Sequence, residues 1–264
     1  MTQIMAEKKQ GLTFEIVSAR ISDVFDEKKH VVYALQVRFI SGNDDMSPSV
    51  VERRYTHFLN LYNALKKEHP QLMSTVVFPK KVLIGNFDND LISTRSTGFE
   101  SLLNHISTES RLRTSKSLLD FLQDTELSKA KEFIKKEDYI TACPILENNF
   151  KLLNKIFTDR SPAVLLALCR LVACLTLLQD FPNSLKWADL ALHRYEGVSD
   201  SDLLELYVPL LNACSKIWWQ NGRNKEELEK RIEELRKKGH RVDGETNLME
   251  AVDSVESRIF GEAR

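Results

Sequence analysis

The spacing of apolar residues changes at Tyr55 of the 264-residue chain, and this change limits the folds that the chain can adopt. Up to Arg54, apolar and polar residues alternate, which indicates strands with one buried face. From Tyr55 the apolar residues recur at helical spacing, and from Glu126 onward no strand pattern is left. The sequence therefore predicts an α+β unit followed by an all-α unit.

Three segments before Tyr55 have the pattern of β-strands. The first alternates, the second is rich in Val and aromatic residues, and the third is short; they cover 12–21, 31–40 and 50–54. Polar turn formers separate them, at Asp26-Glu27-Lys28-Lys29 and from Ser41 to Asp45. Short connections between consecutive strands predict a three-stranded antiparallel meander.

Three helices are predicted in the rest of the first half, at 55–69, 91–106 and 114–123. A long connector, from Gln71 to Gly85, separates the first two. The resulting order β-β-β-α-loop-α-α describes an α+β domain that we expect to cover 11–125. The preceding residues 1–10 have no apolar run of the secretory-signal kind, and we expect them to be disordered.

The second half, 126–264, consists of amphipathic segments joined by short breaks. They fall at about 126–137, 139–157, 163–179, 183–196, 201–220, 224–238 and 246–260. Such segments predict a bundle or solenoid of antiparallel helix pairs. Ala188 and Ala191 place small residues on one face, as in tetratricopeptide (TPR) repeats, so the domain is TPR-like. Pro209 is expected to kink or split the fifth segment.

Composition and motifs exclude several classes of function. The net charge is −1, from 37 Lys and Arg against 38 Asp and Glu, so nucleic acid is not an expected partner. The sequence has no phosphate-binding loop, no nucleophile elbow and no metalloprotease motif. We therefore expect no enzymatic activity, no catalytic residue and no cofactor.

The cysteines share apolar helical surroundings and lack a paired spacing; they are Cys143, Cys169, Cys174 and Cys214. This predicts small buried hydrophobes in a reducing compartment and no metal site. The longest apolar run, 163–178, is interrupted by Arg170 and is shorter than the roughly 20 residues of a membrane-spanning helix. We expect a buried core helix, and a cytoplasmic protein whose membrane contact is peripheral.

Bases scattered between Arg53 and Arg95 predict a folded pocket for a phosphorylated headgroup. Arg53 and Arg54 end a strand, so alternation points them to opposite faces and only one can enter a cleft. A guanidinium can donate two parallel hydrogen bonds to a phosphate, and Tyr55 can place its ring under a sugar-like ring. The other candidate bases of the pocket are Lys81 on the connector and Arg95 in the first turns of the second helix.

The connector also carries an apolar triplet, Val82, Leu83 and Ile84, next to Gly85. A loop that combines lysines with apolar residues is suited to insertion among lipid headgroups. In the alternative interpretation, the arginines solvate a strand end and the triplet covers the core. Each residue taken singly favours that alternative, whereas their combination favours the lipid site.

These residues resemble a known family. The chain contains the motif Arg53-Arg54-Tyr55-x-x-Phe58, then Phe-Pro-x-Lys ending at Lys81, and then Arg95 ahead of an aromatic-Leu-Leu helix. With these motifs, the segment of about 11–124 is similar to a PX (phox homology) domain. The resemblance implies that Arg54 binds the 3-phosphate of phosphatidylinositol 3-phosphate and that Tyr55 packs under the inositol ring. It also implies that Lys81 contacts the 1-phosphate and that Arg95 holds the 4- and 5-hydroxyls.

One position departs from the family pattern, because Val76 occupies the place of the first proline in the loop motif Pro-x-x-Pro-x-Lys. This removes a polyproline ligand for an SH3 domain and leaves lipid binding unaffected. With its helical second half, the chain resembles the sorting nexins with a PX-associated (PXB) domain, the sorting nexin 20/21 type. A BAR domain needs long uninterrupted helices, and four prolines argue against one: Pro144, Pro162, Pro182 and Pro209.

The resemblance implies a peripheral trafficking adaptor of early endosome membranes, which binds phosphatidylinositol 3-phosphate through one domain and a protein cargo or scaffold through the other. The alternative is a protein–protein adaptor whose PX domain binds lipid weakly or binds a different phosphoinositide. Trp218 and Trp219 support it, because both cannot face the core from one helix. Either one of them lines a binding groove, or both pack at the helix end near Gly222. The charged segment 226–238 predicts a solvated outer helix.

Overall fold

The structure is a computed structural model that describes residues 11–22, 28–39, 48–237 and 247–261. Its contacts divide the chain into two compact units, Met1–Asp124 and Thr125–Arg264. The segment 1–10, expected to be disordered, lies outside the described residues. So do Asp26 and Glu27 of the first predicted turn and the whole of the second, 41–45.

The first unit begins with a three-stranded sheet made of β1 (Leu12–Ile21), β2 (Val31–Phe39) and β3 (Ser49–Arg54). Both neighbouring pairs are antiparallel and the order is β1-β2-β3, which confirms the predicted meander. The register of β1 against β2 shifts between Ile16 and Ser18, at a β-bulge. Ile40, predicted to end the second strand, lies outside the described residues.

Four helices follow the sheet, namely α1 (Tyr55–Glu68), α2 (Asn89–Thr108), α3 (Ser110–Arg113) and α4 (Lys116–Lys135). The first begins directly at the end of β3, as the change of period at Tyr55 predicts. The side chain of Asp88 caps α2 by accepting the N–H of Asp90 at 3.0 Å, which starts this helix two residues before the predicted Leu91. The predicted α+β class is confirmed.

Helix α4 differs from the prediction, because the helices expected at 114–123 and 126–137 are one continuous helix. It begins after Ser115, whose Oγ accepts the N–H of Leu118 at 3.2 Å. No Gly or Pro lies between Lys116 and Lys135, all of which are described, so nothing in the backbone chemistry interrupts the helix. The boundary between the two units falls inside it.

An aromatic cluster forms the core of the first unit. Tyr33 of β2 meets the edge of Phe99 of α2, with ring centroids 5.0 Å apart. Phe99 in turn stacks on Phe58 of α1 at 3.9 Å, and all three side chains are buried. Such rings bury a large apolar area and fix the angle between the elements that carry them. The cluster therefore holds α1 and α2 against the inner face of the sheet.

The second unit is all-helical within the described residues, as predicted. After the end of α4 come α5 (Tyr139–Ile156), α6 (Pro162–Leu178), α7 (Phe181–Tyr195), α8 (Ser201–Leu204), α9 (Tyr207–Gln220), α10 (Glu226–Lys237) and α11 (Leu248–Phe260). The fifth predicted segment is indeed split, into α8 and α9, and Pro209 lies in the first turn of α9, where a missing N–H costs little. All four cysteines are buried thiols, as predicted.

Helix α6 is the centre of this unit and is buried on all sides, which confirms the predicted core helix. Its one charged residue, Arg170, is paired. The guanidinium Nη2 lies 2.9 Å from Glu256 Oε2 and 3.2 Å from Asp253 Oδ1, both on α11. Lys131 of α4 approaches the same Glu256 oxygen at 2.7 Å. A buried guanidinium is tolerated because these carboxylates compensate it.

The helices also bear on two expectations, a solvated outer helix and the lack of a membrane-spanning one. In α10 only Leu228 is buried, which confirms a solvated outer helix. None of the helices in the described part of the chain is long and apolar enough to cross a bilayer.

Candidate functional site

The strand–helix corner at Arg53, Arg54 and Tyr55 separates the two arginines, as alternation along the strand requires. Arg53 points inward and is buried, and its Nε donates to the carbonyl oxygen of Phe121 at 2.6 Å. Its guanidinium also lies 5.5 Å from the centroid of the Phe121 ring. Arg53 therefore ties β3 to α4 and lies outside the pocket, whereas Arg54 is exposed.

Arg54 occupies the N-cap position of α1, where the backbone already favours an anion. Its own N–H donates to Nδ1 of His57 at 3.5 Å, which gives the histidine a structural role at the start of the helix. The first turn of α1, which is fully described, contains no acidic residue. The guanidinium and the positive end of the helix would therefore both attract a negative group.

Tyr55 is held in a fixed position by the connector. Its hydroxyl donates to the carbonyl oxygen of Pro79 at 2.8 Å, and its ring lies 5.8 Å from that of Phe78. Burial raises the pKa of Tyr55, while the nearby charge of Arg95 acts in the opposite direction. The phenol therefore stays neutral at physiological pH, and its ring is a rigid apolar platform.

Arg95 approaches this platform from α2. Its Cζ lies 4.3 Å from the centroid of the Tyr55 ring, within cation–π distance. The guanidinium is buried, and its Nη2 donates to Oδ1 of Asn86 at 3.0 Å. Among the described residues none accepts a hydrogen bond from its Nε. A guanidinium held in this position beside the Tyr55 ring is a candidate donor to the oxygen atoms of a ligand.

Lys81 lies on the connector, two residues after the proline whose carbonyl holds Tyr55, and is exposed. The connector is anchored to the helices at several points. Phe78 stacks on Tyr62 of α1 with ring centroids 4.8 Å apart, and Nε2 of His105 lies 2.9 Å from the carbonyl oxygen of Leu72. The loop that carries Lys81 therefore leaves the body of the unit from a fixed base.

Gly98 of α2 has a role that the sequence reasoning missed. A Cβ at this position would lie 2.4 Å from Cγ and 2.9 Å from Cδ of Pro79, closer than atoms can approach. The absence of a side chain lets the proline ring rest directly on the helix. A glycine inside a helical pattern is a signal for such a close approach. Asn86, the partner of Arg95, was also missed, because a single Asn in a connector resembles an ordinary turn residue.

Beyond Lys81, two apolar side chains are almost fully exposed. Leu83 is 95% and Ile84 is 89% exposed, whereas Val82 is half-buried at the base of the loop. The carbonyl oxygen of Val82 accepts a hydrogen bond from Nδ2 of Asn86 at 3.3 Å, which links the loop to the partner of Arg95. Val77 is also highly exposed, although it was not among the predicted insertion residues.

In the second unit the two adjacent tryptophans differ in environment. Trp218 is buried and its Nε1 donates to Oδ1 of Asp189 at 3.1 Å, while the guanidinium of Arg223 lies 3.9 Å from a Trp218 ring centroid. Trp219 is 66% exposed, next to the ammonium group of Lys225. The interpretation in which both pack at the helix end is wrong, because Trp219 is largely exposed.

Comparison with known proteins agrees with this description. The model of the PX domain family matches residues 42–125. Sorting nexin-20 of Bos taurus is 33% identical over 236 residues, which cover 86% of this chain and 70% of that protein. Sorting nexin-21 of Homo sapiens is 31% identical over 232 residues, which cover 87% of this chain and 61% of that protein.

Among solved structures, a designed CISK-PX domain aligns with 42% of this chain and 98% of its own length, at 25% identity and a TM-score of 0.36. The resemblance to the sorting nexins extends through both units, since the matched residues of sorting nexin-20 cover most of this chain. The chain therefore belongs to the PX-domain sorting nexins, of the sorting nexin 20/21 type.

Proposed function

We propose that the α+β unit binds phosphatidylinositol 3-phosphate and that this interaction holds the protein at the cytoplasmic face of early endosomes. Membership of the sorting nexins implies membrane trafficking and phosphoinositide binding, and the proposal makes both specific. Arg54 binds the 3-phosphate and Tyr55 packs against the inositol ring. Lys81 contacts the 1-phosphate, and Arg95 binds the 4- and 5-hydroxyls.

The observation that carries the proposal is the contact between Arg95 and Tyr55. The guanidinium lies 4.3 Å from the ring centroid and is buried, so a polyol ring that enters beside Tyr55 would meet donors fixed in place. Hydroxyl groups satisfy such donors without adding charge. This supports the proposed pairing of Arg95 with the 4- and 5-hydroxyls of the headgroup.

Insertion of Val82, Leu83 and Ile84 into the bilayer is the second part of the proposal. The high exposure of Leu83 and Ile84 supports it, because two neighbouring branched side chains in water are unfavourable and a lipid interface would remove them from water. Lys81 precedes them and can meet anionic lipid at the surface. Val82 is half-buried and would mark the depth limit of insertion.

The helical unit, in this proposal, holds a protein cargo or scaffold, and the protein acts as a non-enzymatic adaptor. Exposure of Trp219 supports this role, because tryptophan contributes strongly to protein interfaces and is rarely left in water. If the first unit were to bind lipid weakly or to prefer another phosphoinositide, the protein would still serve as a protein–protein adaptor through this half.

The test is sedimentation of the full-length chain with liposomes, with and without phosphatidylinositol 3-phosphate and with a panel of other phosphoinositides. Wild-type protein should pellet with the 3-phosphate lipid, and Arg54→Gln should abolish pelleting. Arg38→Gln is the matched control, because Arg38 is also an exposed sheet arginine, paired with Glu15. It lies near the end of β2, whereas Arg54 of β3 pairs with Val32 at the opposite end of that strand.

Failure of wild-type protein to pellet with any phosphoinositide would remove the lipid proposal and leave the adaptor alone. Pelleting with a different phosphoinositide would retain the pocket and correct its specificity. Equal loss in Arg54→Gln and Arg38→Gln would indicate general charge attraction and would contradict a defined headgroup site.

A further inference from the structure

The second unit contains a pair of thiols that the proposed function does not use. Sγ of Cys143 on α5 lies 3.2 Å from Sγ of Cys174 on α6, within hydrogen-bonding distance. The residues are 31 apart in the chain, on adjacent antiparallel helices. The other two cysteines have no such neighbour: Cys169 faces the hydroxyl of Tyr195, and Cys214 faces the carbonyl of Ala188.

We propose that Cys143 and Cys174 form an intramolecular disulfide when the protein meets hydrogen peroxide, which makes them a redox modification site of the helical unit. A disulfide requires a sulfur separation of about 2.05 Å, so the two atoms must approach by about 1 Å. Side-chain rotation on adjacent helices can supply a movement of this size.

The two thiols differ in a way that assigns their roles. Cys143 is 7% exposed, whereas Cys174 is 0% exposed, so a small oxidant reaches Cys143 first. The pKa of Cys143 is lowered because the Cys174 thiol can donate to its thiolate, although burial and the charges of Asp180 and Glu147 act in the opposite direction. A thiolate at the edge of the core is the nucleophile that peroxide oxidation requires.

The chemistry balances with peroxide as the only oxidant. The Cys143 thiolate attacks one oxygen of hydrogen peroxide, so that an S–O bond forms, the O–O bond breaks and hydroxide leaves. Cys174 gives its proton to that hydroxide and attacks the sulfur of the sulfenic acid. The S–S bond forms, the S–O bond breaks, and the second hydroxide leaves as water after protonation by solvent. Overall, two thiols and one peroxide give one disulfide and two waters.

The remaining cysteines are internal controls. Cys169 and Cys214 are fully buried, burial raises the pKa of Cys169 to about 12, and it raises that of Cys214 well above the usual value. The hydrogen-bond partner of Cys169 is the Tyr195 hydroxyl and that of Cys214 is the Ala188 carbonyl, so neither bonds to a second thiol. The proposal therefore predicts strict selectivity for one pair among four cysteines in the same protein.

The test is graded oxidation of the full-length reduced chain with hydrogen peroxide, followed by alkylation of free thiols in denaturant and tryptic mapping without reductant. Cleavage at Lys136, Lys151, Arg170 and Lys186 places Cys143 and Cys174 on separate peptides and parts Cys174 from Cys169. The expected product is a cross-link between peptides 137–151 and 171–186 that has lost two hydrogens. Cys169 and Cys214 should be recovered alkylated.

Two cysteine variants and a melting-temperature measurement test the same proposal in separate ways. Cys143→Ser should abolish the cross-link, and Cys169→Ser should leave its rate unchanged. The oxidised wild type should melt several degrees higher than the reduced protein, because the bond closes a loop in the unfolded chain, and dithiothreitol should reverse the change. Mixed pairings, Cys143 over-oxidised beside a free Cys174 thiol, no reaction, or a lower melting temperature on oxidation would each overturn the proposal.

Discussion

The ring of Pro79 occupies the space that a side chain on Gly98 would need, since a Cβ there would lie 2.4 Å from the proline Cγ. The same proline accepts the hydroxyl of Tyr55 through its carbonyl oxygen at 2.8 Å. A helix glycine thus sets the position of the aromatic platform and of the loop that carries Lys81. The contact links α2 to the candidate site although neither Gly98 nor Pro79 is a candidate ligand residue.

Gly98→Ala should weaken binding to phosphatidylinositol 3-phosphate liposomes about fivefold or more, because overpacking of this kind costs about 1–3 kcal/mol and pushes the loop outward. Alanine is the better helix former, which offsets part of the loss in global stability. The double variant Gly98→Ala/Pro79→Ala removes the ring and should restore most of the affinity. Absence of rescue would show that the clash with Pro79 is not the cause.

Replacement of Arg53 should lower stability, whereas replacement of Arg54 should affect lipid binding and leave stability almost unchanged. Arg53→Gln should lower the free energy of unfolding by about 2–3 kcal/mol, because the buried bond to the Phe121 carbonyl and the packing of the aliphatic stem are lost. Arg54→Gln should leave the urea midpoint almost unchanged, because its side chain is exposed. Urea titration and liposome sedimentation on both variants measure the contrast. A stability loss in Arg54→Gln alone would exchange the two assignments.

Arg95→Lys tests whether the planar guanidinium, and not the charge alone, is what the pocket uses. A lysine keeps the charge but loses the stacked fork over Tyr55 and the donor to Asn86. Affinity for the headgroup should fall at least tenfold by isothermal titration with a soluble short-chain lipid. Arg111→Lys, on the exposed side of α3, is the control and should bind as the wild type does. Undiminished binding by Arg95→Lys would remove Arg95 from the hydroxyl contacts.

Leu83→Asp should weaken membrane binding about tenfold or more, because a fully inserted leucine contributes about 1.5–3 kcal/mol and a carboxylate is repelled by anionic lipid. Its melting temperature should match the wild type, since the side chain is almost fully exposed. Val82→Asp is the informative contrast: Val82 is half-buried, so this variant should lose both stability and membrane binding. A large drop in the melting temperature of Leu83→Asp would assign that residue to the core instead.

Glu256→Gln should lower the free energy of unfolding by about 2–3 kcal/mol, because the buried Arg170 loses its nearest carboxylate. Lys131 loses the same partner. Glu205→Gln removes a carboxylate from an exposed pair with Arg258 and should cost far less, because solvent screens such a pair. Urea unfolding of both variants measures the difference. Equal effects would mean that solvent compensates Arg170.

Much of this fold follows from local pattern. The strands and the start of α1 were predicted closely because alternation and helical spacing are properties of a few consecutive residues. The continuity of α4 was missed because a polar stretch around Thr125 resembles a break when only apolar spacing is considered. Helix formers on both sides carry the helix through, and no glycine or proline stops it among residues 116–135.

The residues of the candidate site also differ in how far local pattern predicts them. Strand alternation predicts that Arg53 and Arg54 point to opposite faces, and the structure has them so. Alternation alone does not say which of the two enters a pocket; the family resemblance points to Arg54. Gly98 and Asn86 could not be predicted from local pattern, because their importance comes from contacts with residues distant in the chain. Likewise, periodicity predicts that one tryptophan of the pair faces outward. Only the packing of Trp218 against Asp189 of α7 shows that the outward-facing residue is Trp219.

Helix α4 also determines where the chain can be cut. The carbonyl of Phe121 that receives Arg53 is, in an α-helix, also the acceptor for the N–H of Thr125. A fragment that stops at Asp124 would keep every proposed ligand residue yet would lose that second donor and fray the turn that anchors β3. A fragment that ends after Lys135 keeps that donor and the intact turn, so a headgroup-binding measurement on the α+β part should include α4 to its end.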